Sequence, residues 1–268
     1  MKTANDYSKM QKELYSDPRV PSEAIVGNYQ WHENFPYESN LLYRYADIRL
    51  PIFCGPIPAR ALDIGCGPGR MISRMQPYFQ RVDGVDISAP LLKVAREKHP
   101  NGQFFETNGN DLGAAPSDSY NFAYSTIAFQ HIAVNSIRKN ILSHLRRVLM
   151  PGGKFTIQLA YLDTLPYIIR RDDRLLGHFG IARAQKVTQH ADWSDNRVNA
   201  PSSNGLCDVT LGPKTLPIAV NEFESLFTGV EYWFYDIRIC SKNLRGAAHC
   251  DYWASHWIFF HGTRPVAQ

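Results

Sequence analysis

One short segment constrains the fold more than any other: an apolar run that ends in a glycine-rich turn and passes directly into helical spacing. Residues 59–64 are the run, Gly65-Cys66-Gly67-Pro68-Gly69 is the turn, and Met71, Ile72, Met75 and Phe79 then recur on one helical face through residues 70–79. A strand that turns through glycines into a helix is the opening unit of a parallel α/β sheet. The alternation continues downstream. A strand over 82–85 leads to a helix with Leu91, Leu92, Val94 and Ala95 behind an N-cap at Ser88. Strands over 103–106 and 122–126 follow. Ile137, Ile141, Leu145 and Leu149 then step by four along an amphipathic helix before a strand over 155–160. A helix near 220–227 and two aromatic, β-branched runs at 231–239 and 252–261 close the chain. The two runs read as an antiparallel hairpin at the sheet edge.

A chain of 268 residues suits one sizeable domain. Its expected parts are a cover over 1–50, a ligand-binding core over 57–160, a lid or substrate insertion over 161–218, and a C-terminal helix and strand pair over 219–268. Charged residues at 20% and ordinary Gly and Pro usage exclude collagen and whole-chain disorder. No apolar run nears the ~18 residues of a membrane span, and the N-terminus shows no apolar secretory core. Five widely spaced cysteines without a CxxC read as free thiols of a reducing compartment, so the expected location is cytoplasmic. The net charge of +4 comes from scattered basic residues, which argues against nucleic acid as partner. His178, His190 and Asp192 lack metal-ligand spacing, so no metal is expected.

The glycine turn sits where open α/β sheets bind ligands, at the carboxyl ends of strands. It departs from the dinucleotide fingerprint. Arg70 stands where the third glycine belongs, and Gly69 comes one residue early. Asp63, two residues before the first glycine, would repel a pyrophosphate and favours an ammonium or sulfonium. The loop reads as a site for a cationic nucleoside. Cys66 within it reads either as a nucleophile or as a small packing residue.

Leu-Asp-Ile-Gly-Cys-Gly-Pro-Gly (62–69), Val-Asp-Gly-Val-Asp-Ile-Ser (82–88), Asn-Gly-Asn-Asp-Leu (108–112), Ser125 and Leu-Met-Pro-Gly-Gly (149–153) occur in that order. In this the chain resembles the class I S-adenosylmethionine-dependent methyltransferases, particularly the broad bacterial group acting on small molecules. The resemblance covers roughly residues 59–160. It implies a Rossmann-like α/β fold with a seven-stranded, mostly parallel sheet and an antiparallel last strand. Helices lie on both faces, with an N-terminal helical cover and an insertion after strand five. It implies S-adenosyl-L-methionine as cofactor, held by Asp63, Gly65, Cys66, Gly67 and Gly69, by Asp86 and Ile87 at the ribose, by Asn108, Gly109 and Asp111 near the adenine, and by Ser125. Asn108 replaces the acid usual in the family. Cys66 is then a packing residue, and Arg44 is a candidate partner for the cofactor carboxylate.

Methyl transfer needs a positioned acceptor, excluded water and, for a protonated acceptor, a base. His131, leaving the fourth strand, is the candidate catalytic base, since an imidazole is the side chain that can take a proton near neutral pH. Tyr29, Trp31, Phe35, Tyr37 and Tyr43, with the 161–218 insertion, form the expected aromatic lid. The favoured function is methylation of an oxygen or nitrogen on a small molecule. A modifier of RNA or protein, or a silent cofactor-binding subunit, remains open. The oligomeric state is not readable.

Overall fold

The computed structural model describes residues 3–18, 35–43, 57–161, 167–170, 183–186, 211–236 and 256–266. Arg44, Tyr29, Trp31 and most of the 161–218 insertion lie outside the described residues.

The glycine turn does what its sequence predicts. Strand β1 (Ile57–Ile64) ends in it, helix α3 (Arg70–Met75) begins from it, and strand β2 (Phe79–Asp86) returns parallel to β1. The helix is shorter than its apolar spacing suggests. Pro77 tightens residues Gln76–Tyr78 into a 3₁₀ turn, and Phe79 already belongs to β2. Helix α4 (Ala89–Lys98) is capped by Ser88, whose hydroxyl accepts from the Leu91 N–H. Strands β3 (Phe104–Glu106) and β4 (Tyr120–Ser125), helix α5 (Asn135–Val148) and strand β5 (Leu149–Tyr161) complete the core.

The insertion holds a separate antiparallel pair, β6 (Tyr167–Arg170) with β7 (Arg183–Lys186). Helix α6 (Leu216–Glu224) starts four residues earlier than expected, with Pro217 in its first turn. Strands β8 (Thr228–Asp236) and β9 (His256–Thr263) form the expected hairpin. β9 lies inside, between β5 and β8, so only β8 is at the edge. The sheet order is β3-β2-β1-β4-β5-β9-β8, and β9 alone runs antiparallel.

Side chains alternate across this sheet and build a core on each face. On one face Phe155, Ile157 and Leu159 of β5 pack with Leu142 and Leu145 of α5 and Phe223 of α6. On the other, Phe122, Tyr124 and Ala160 pack with Ile72 of α3, Leu92 of α4 and Leu41 of the short helix α2 (Tyr37–Leu41). Phe35 and Tyr37, expected in a lid, belong to this second core. Phe35 meets Tyr235 and Trp257 edge-on at 4.7 and 4.5 Å. No helix among the described residues is long and apolar enough to cross a membrane.

The cover over the carboxyl ends of the strands comes from the N-terminal segment, as expected, and is built by its first helix. Helix α1 (Ala4–Tyr15) opens with a capping box in which Thr3 and Asp6 satisfy each other's backbone N–H. It lies across the loops after three strands. The Ser88 hydroxyl donates to the Tyr15 carbonyl at 2.7 Å, Lys12 pairs with Glu106, and Tyr7 and Gln11 reach the loop after β4.

Candidate active site

The glycine loop is tied down from two sides. The Gly65 and Cys66 N–H groups donate to the Val85 carbonyl at 2.9 and 3.0 Å, and Gly67 N–H donates to Asp86 Oδ2 at 2.8 Å. Gly65 and Gly69 have φ of +75° and +86°, which an L side chain rarely adopts. A Cβ on Gly65 would also stand 2.3 Å from the Ala128 Cβ, so the loop closes against the segment after β4. Behind it, His99 Nε2 lies 3.0 Å from the Gly69 carbonyl. Burial pushes the His99 pKa down, so the neutral ring donates to that carbonyl.

Two acids on β2 illustrate how environment separates roles. Asp83 is fully buried and satisfied by Arg60, Tyr120 and the Gln103 N–H, at 2.8, 3.0 and 2.8 Å. Asp86 ends the strand at the cavity. One oxygen takes the Gly67 N–H and the other takes the Ser88 N–H at 2.9 Å, which leaves each oxygen further acceptor capacity. Burial pushes its pKa above the ordinary range, and these backbone donors pull it back.

Asp63 differs again. It is buried, lines the cavity, and its Oδ2 has no hydrogen-bond partner. Burial raises its pKa to about 8; the Arg70 charge opposes the rise and the Asp86 charge adds to it. Burial and the same two carboxylates hold the Cys66 thiol well above its usual range, so it is no thiolate nucleophile.

The cavity encloses about 1150 Å³, its open mouth included. Asp63, Gly65, Cys66, Gly67, Asp86, Ile87, Gly109, Asp111 and His131 all line it. Gly69, Asn108 and Ser125 do not: Gly69 caps α3, Asn108 accepts from the Asn110 N–H, and the Ser125 hydroxyl donates to the Ile64 carbonyl. Asp111 spends one oxygen on Thr107 and the Gly113 N–H.

Sequence reasoning placed a cover over residues 1–50 but did not single out the side chains of its first helix. Tyr7, Ser8, Gln11 and Tyr15 of α1 line the same cavity. The Tyr7 hydroxyl donates to the His131 carbonyl at 2.9 Å and accepts from the Ala133 N–H at 2.9 Å and Gln11 Nε2 at 2.7 Å. Gln11 also donates to the His131 carbonyl at 2.7 Å. His131 ends a 3₁₀ turn (Ala128–His131) whose entry is strained. Ile127 has φ +68°, and Ala128 N–H bonds back to the Thr126 carbonyl at 2.7 Å, a tight turn that costs a β-branched residue about 1–3 kcal/mol.

A seven-stranded sheet of this order, with a glycine loop after β1 and an acid ending β2, defines the class I methyltransferase architecture. Residues 61–153 match the family model described as a methyltransferase domain. Among its relatives are a trans-aconitate 2-methyltransferase of Rhodopseudomonas palustris, 35% identical over 43% of this chain and 44% of that protein, and a malonyl-[acyl-carrier protein] O-methyltransferase of Salmonella typhimurium, 30% identical over 49% and 51%. The chain thus spans about half the length of these relatives. The fold is shared with phosphoethanolamine N-methyltransferase 2 of Haemonchus contortus in complex with S-adenosyl-L-methionine, at TM-score 0.58, 16% identity, and coverage of 95% of this chain and 60% of that one.

The residues present fit an adenosyl cofactor. Asp86 retains acceptors for vicinal hydroxyls, the glycine loop leaves the backbone bare, and Asp63 presents an unpartnered carboxyl oxygen suited to a cation.

Proposed function

We propose that the chain transfers the methyl group of S-adenosylmethionine to an oxygen or nitrogen of a small-molecule acceptor. One observation carries this reading: a single cavity runs from Asp86 and the glycine loop to His131 and is roofed by α1. The bound cofactor would supply a methyl carbon already activated by its sulfonium. Asp86 would hold the ribose, while Ile87, Gly109 and Asp111 would border the base. His131 would take the proton from a hydroxyl or ammonium acceptor, and α1 would keep water out. Among the described residues the lining is mostly apolar, with Arg70 and His131 as its basic side chains, which suits a small acceptor better than RNA. The named relatives are methyltransferases of trans-aconitate and of malonyl-[acyl-carrier protein].

Transfer of radiolabelled methyl from S-adenosylmethionine to a panel of small acids and amines, with bulk tRNA as competitor, tests the proposal. Label should reach a small acceptor. Label on RNA alone overturns the acceptor class, and wild-type protein that ignores S-adenosylhomocysteine but binds NAD overturns the whole reading.

A further inference from the structure

Ser8, Gln11 and Tyr15 follow one another at helical spacing on α1, and all three line the cavity. Gln11 is spent on the loop after β4, where it bonds to the Tyr7 hydroxyl and the His131 carbonyl. Ser8 is not spent. It is 7% exposed, and its Oγ has no hydrogen-bond partner among the described residues. A serine inside a helix turns its hydroxyl to water or to the carbonyl one turn back. A buried hydroxyl that does neither is costly, and alanine would suit the helix better. A ligand that supplies the missing partner offsets that cost. The neighbours of Ser8 say where such a partner would lie. A Cβ placed on Gly109 would stand 2.5 Å from the Ile87 Cδ1 and 3.6 Å from the Ser8 Cβ, so these three lining residues meet at one spot on the wall. The loop beside it spends its side chains on itself. Thr107 Oγ1 donates to Asp111, Asn108 accepts from the Asn110 N–H, and Asp111 accepts from the Gly113 N–H.

We infer that Ser8 is a binding residue for the base: its hydroxyl hydrogen-bonds the edge of the cofactor's purine, from a helix outside the residues that the family model matches. A hydroxyl both donates and accepts, so it can serve a ring nitrogen or an exocyclic amine. The inference rests on the methyltransferase reading, which puts the base against Ile87 and Gly109, and it deepens that reading. It makes α1 a part of the cofactor site as well as the roof of the acceptor end, because Ser8 adjoins Tyr7, whose hydroxyl holds the His131 carbonyl.

Two probes test it on the full chain: S-adenosylhomocysteine, read by calorimetry, and S-ribosylhomocysteine, which keeps the sugar and tail but lacks the base, read by competition. Ser8→Ala should weaken S-adenosylhomocysteine binding roughly 3–15-fold and leave S-ribosylhomocysteine within about twofold. The ligand-free variant should melt no lower than wild type, since the hydroxyl it loses has no partner to give up. A lower melting temperature would mean that Ser8 holds α1 in place, and overturns the inference. So does unchanged affinity for S-adenosylhomocysteine, or an equal loss with both probes. Where the baseless probe is too weak to compete, the affinity and melting results decide by themselves. Wild-type protein that binds neither probe overturns the methyltransferase reading as well, so the two failures are distinguishable.

Discussion

The two ends of the cavity are built by different means. At the nucleoside end the chain holds itself: Gly65, Cys66, Gly67 and Ser88 bond through their backbone N–H groups to Val85 and Asp86, all within one strand–helix–strand unit. At the acceptor end, side chains of α1 reach a loop more than a hundred residues away, as Tyr7 does to His131. The first end is a local fold of backbone. The second is a docking of one helix against three loops. Local backbone sites tolerate little change and are shared across a family, whereas docked roofs are free to vary with the acceptor.

The largest effect should fall on chemistry at the docked end. Tyr7 and Gln11 of α1 bond to the His131 backbone carbonyl, so His131→Asn keeps these bonds of the roof. It should lower kcat about 10²–10⁴-fold with S-adenosylhomocysteine affinity near wild type. The deficit should narrow as pH rises and the acceptor ionises unaided. Undiminished turnover across that range would make the docked end a positioning device only.

At the backbone end, Asp86→Ala should weaken S-adenosylhomocysteine binding by about 1.5–3 kcal/mol in calorimetry, the range for hydrogen bonds to a charged group. It should also lower folding stability, because the Gly67 and Ser88 N–H groups lose their acceptor. Unchanged affinity with intact fold would remove Asp86 from the ribose.

Asp63 sharpens the contrast through pH. Folding raises its pKa from 3.8 to about 8, so the folded state holds its proton across a window in which the unfolded state has released it. The stabilisation is complete below about pH 4 and is lost as pH climbs through about 8. Arg70, Asp86, Tyr124 and Cys66 are the groups that face it. Asp63→Asn cannot ionise. The ligand-free variant should therefore unfold at a higher temperature than wild type at pH 9, by an amount on the order of 1–3 kcal/mol, with little difference at pH 4. Parallel melting curves at both pH values would show the carboxyl to be charged throughout.

The smallest effect should come from Tyr7→Phe. The ring stays buried and Gln11 still serves the His131 carbonyl, while the Ala133 N–H loses its acceptor. A loss of about 1 kcal/mol in chemical denaturation is expected. A loss beyond about 3 kcal/mol would mean that α1 and the core unfold as one unit.

The same contrast decides what the sequence could show. The glycine loop, Asp63, Asp86 and Ser88 are readable because each acts on neighbours a few residues away, and short spacing carries that information. Helix α1 is not readable by apolar periodicity, because its buried face is Tyr7, Ser8 and Gln11, two of them polar. Only the Thr3-to-Asp6 capping box marks its start. Phe35 and Tyr37 look like lid aromatics in sequence, yet the sheet places them in a core with Trp257, a partner that spacing does not reveal.

The Tyr7 hydroxyl carries a further consequence. A phenol has one proton to give and two lone pairs to receive with. Here the proton goes to His131, and the lone pairs take Gln11 and Ala133. Its valences are full. A tyrosine in that state can neither accept a proton from a substrate nor offer one without first releasing the roof. Tyr7 therefore serves as a rivet, and the proton transfer proposed for this end of the cavity rests on the imidazole of His131 alone.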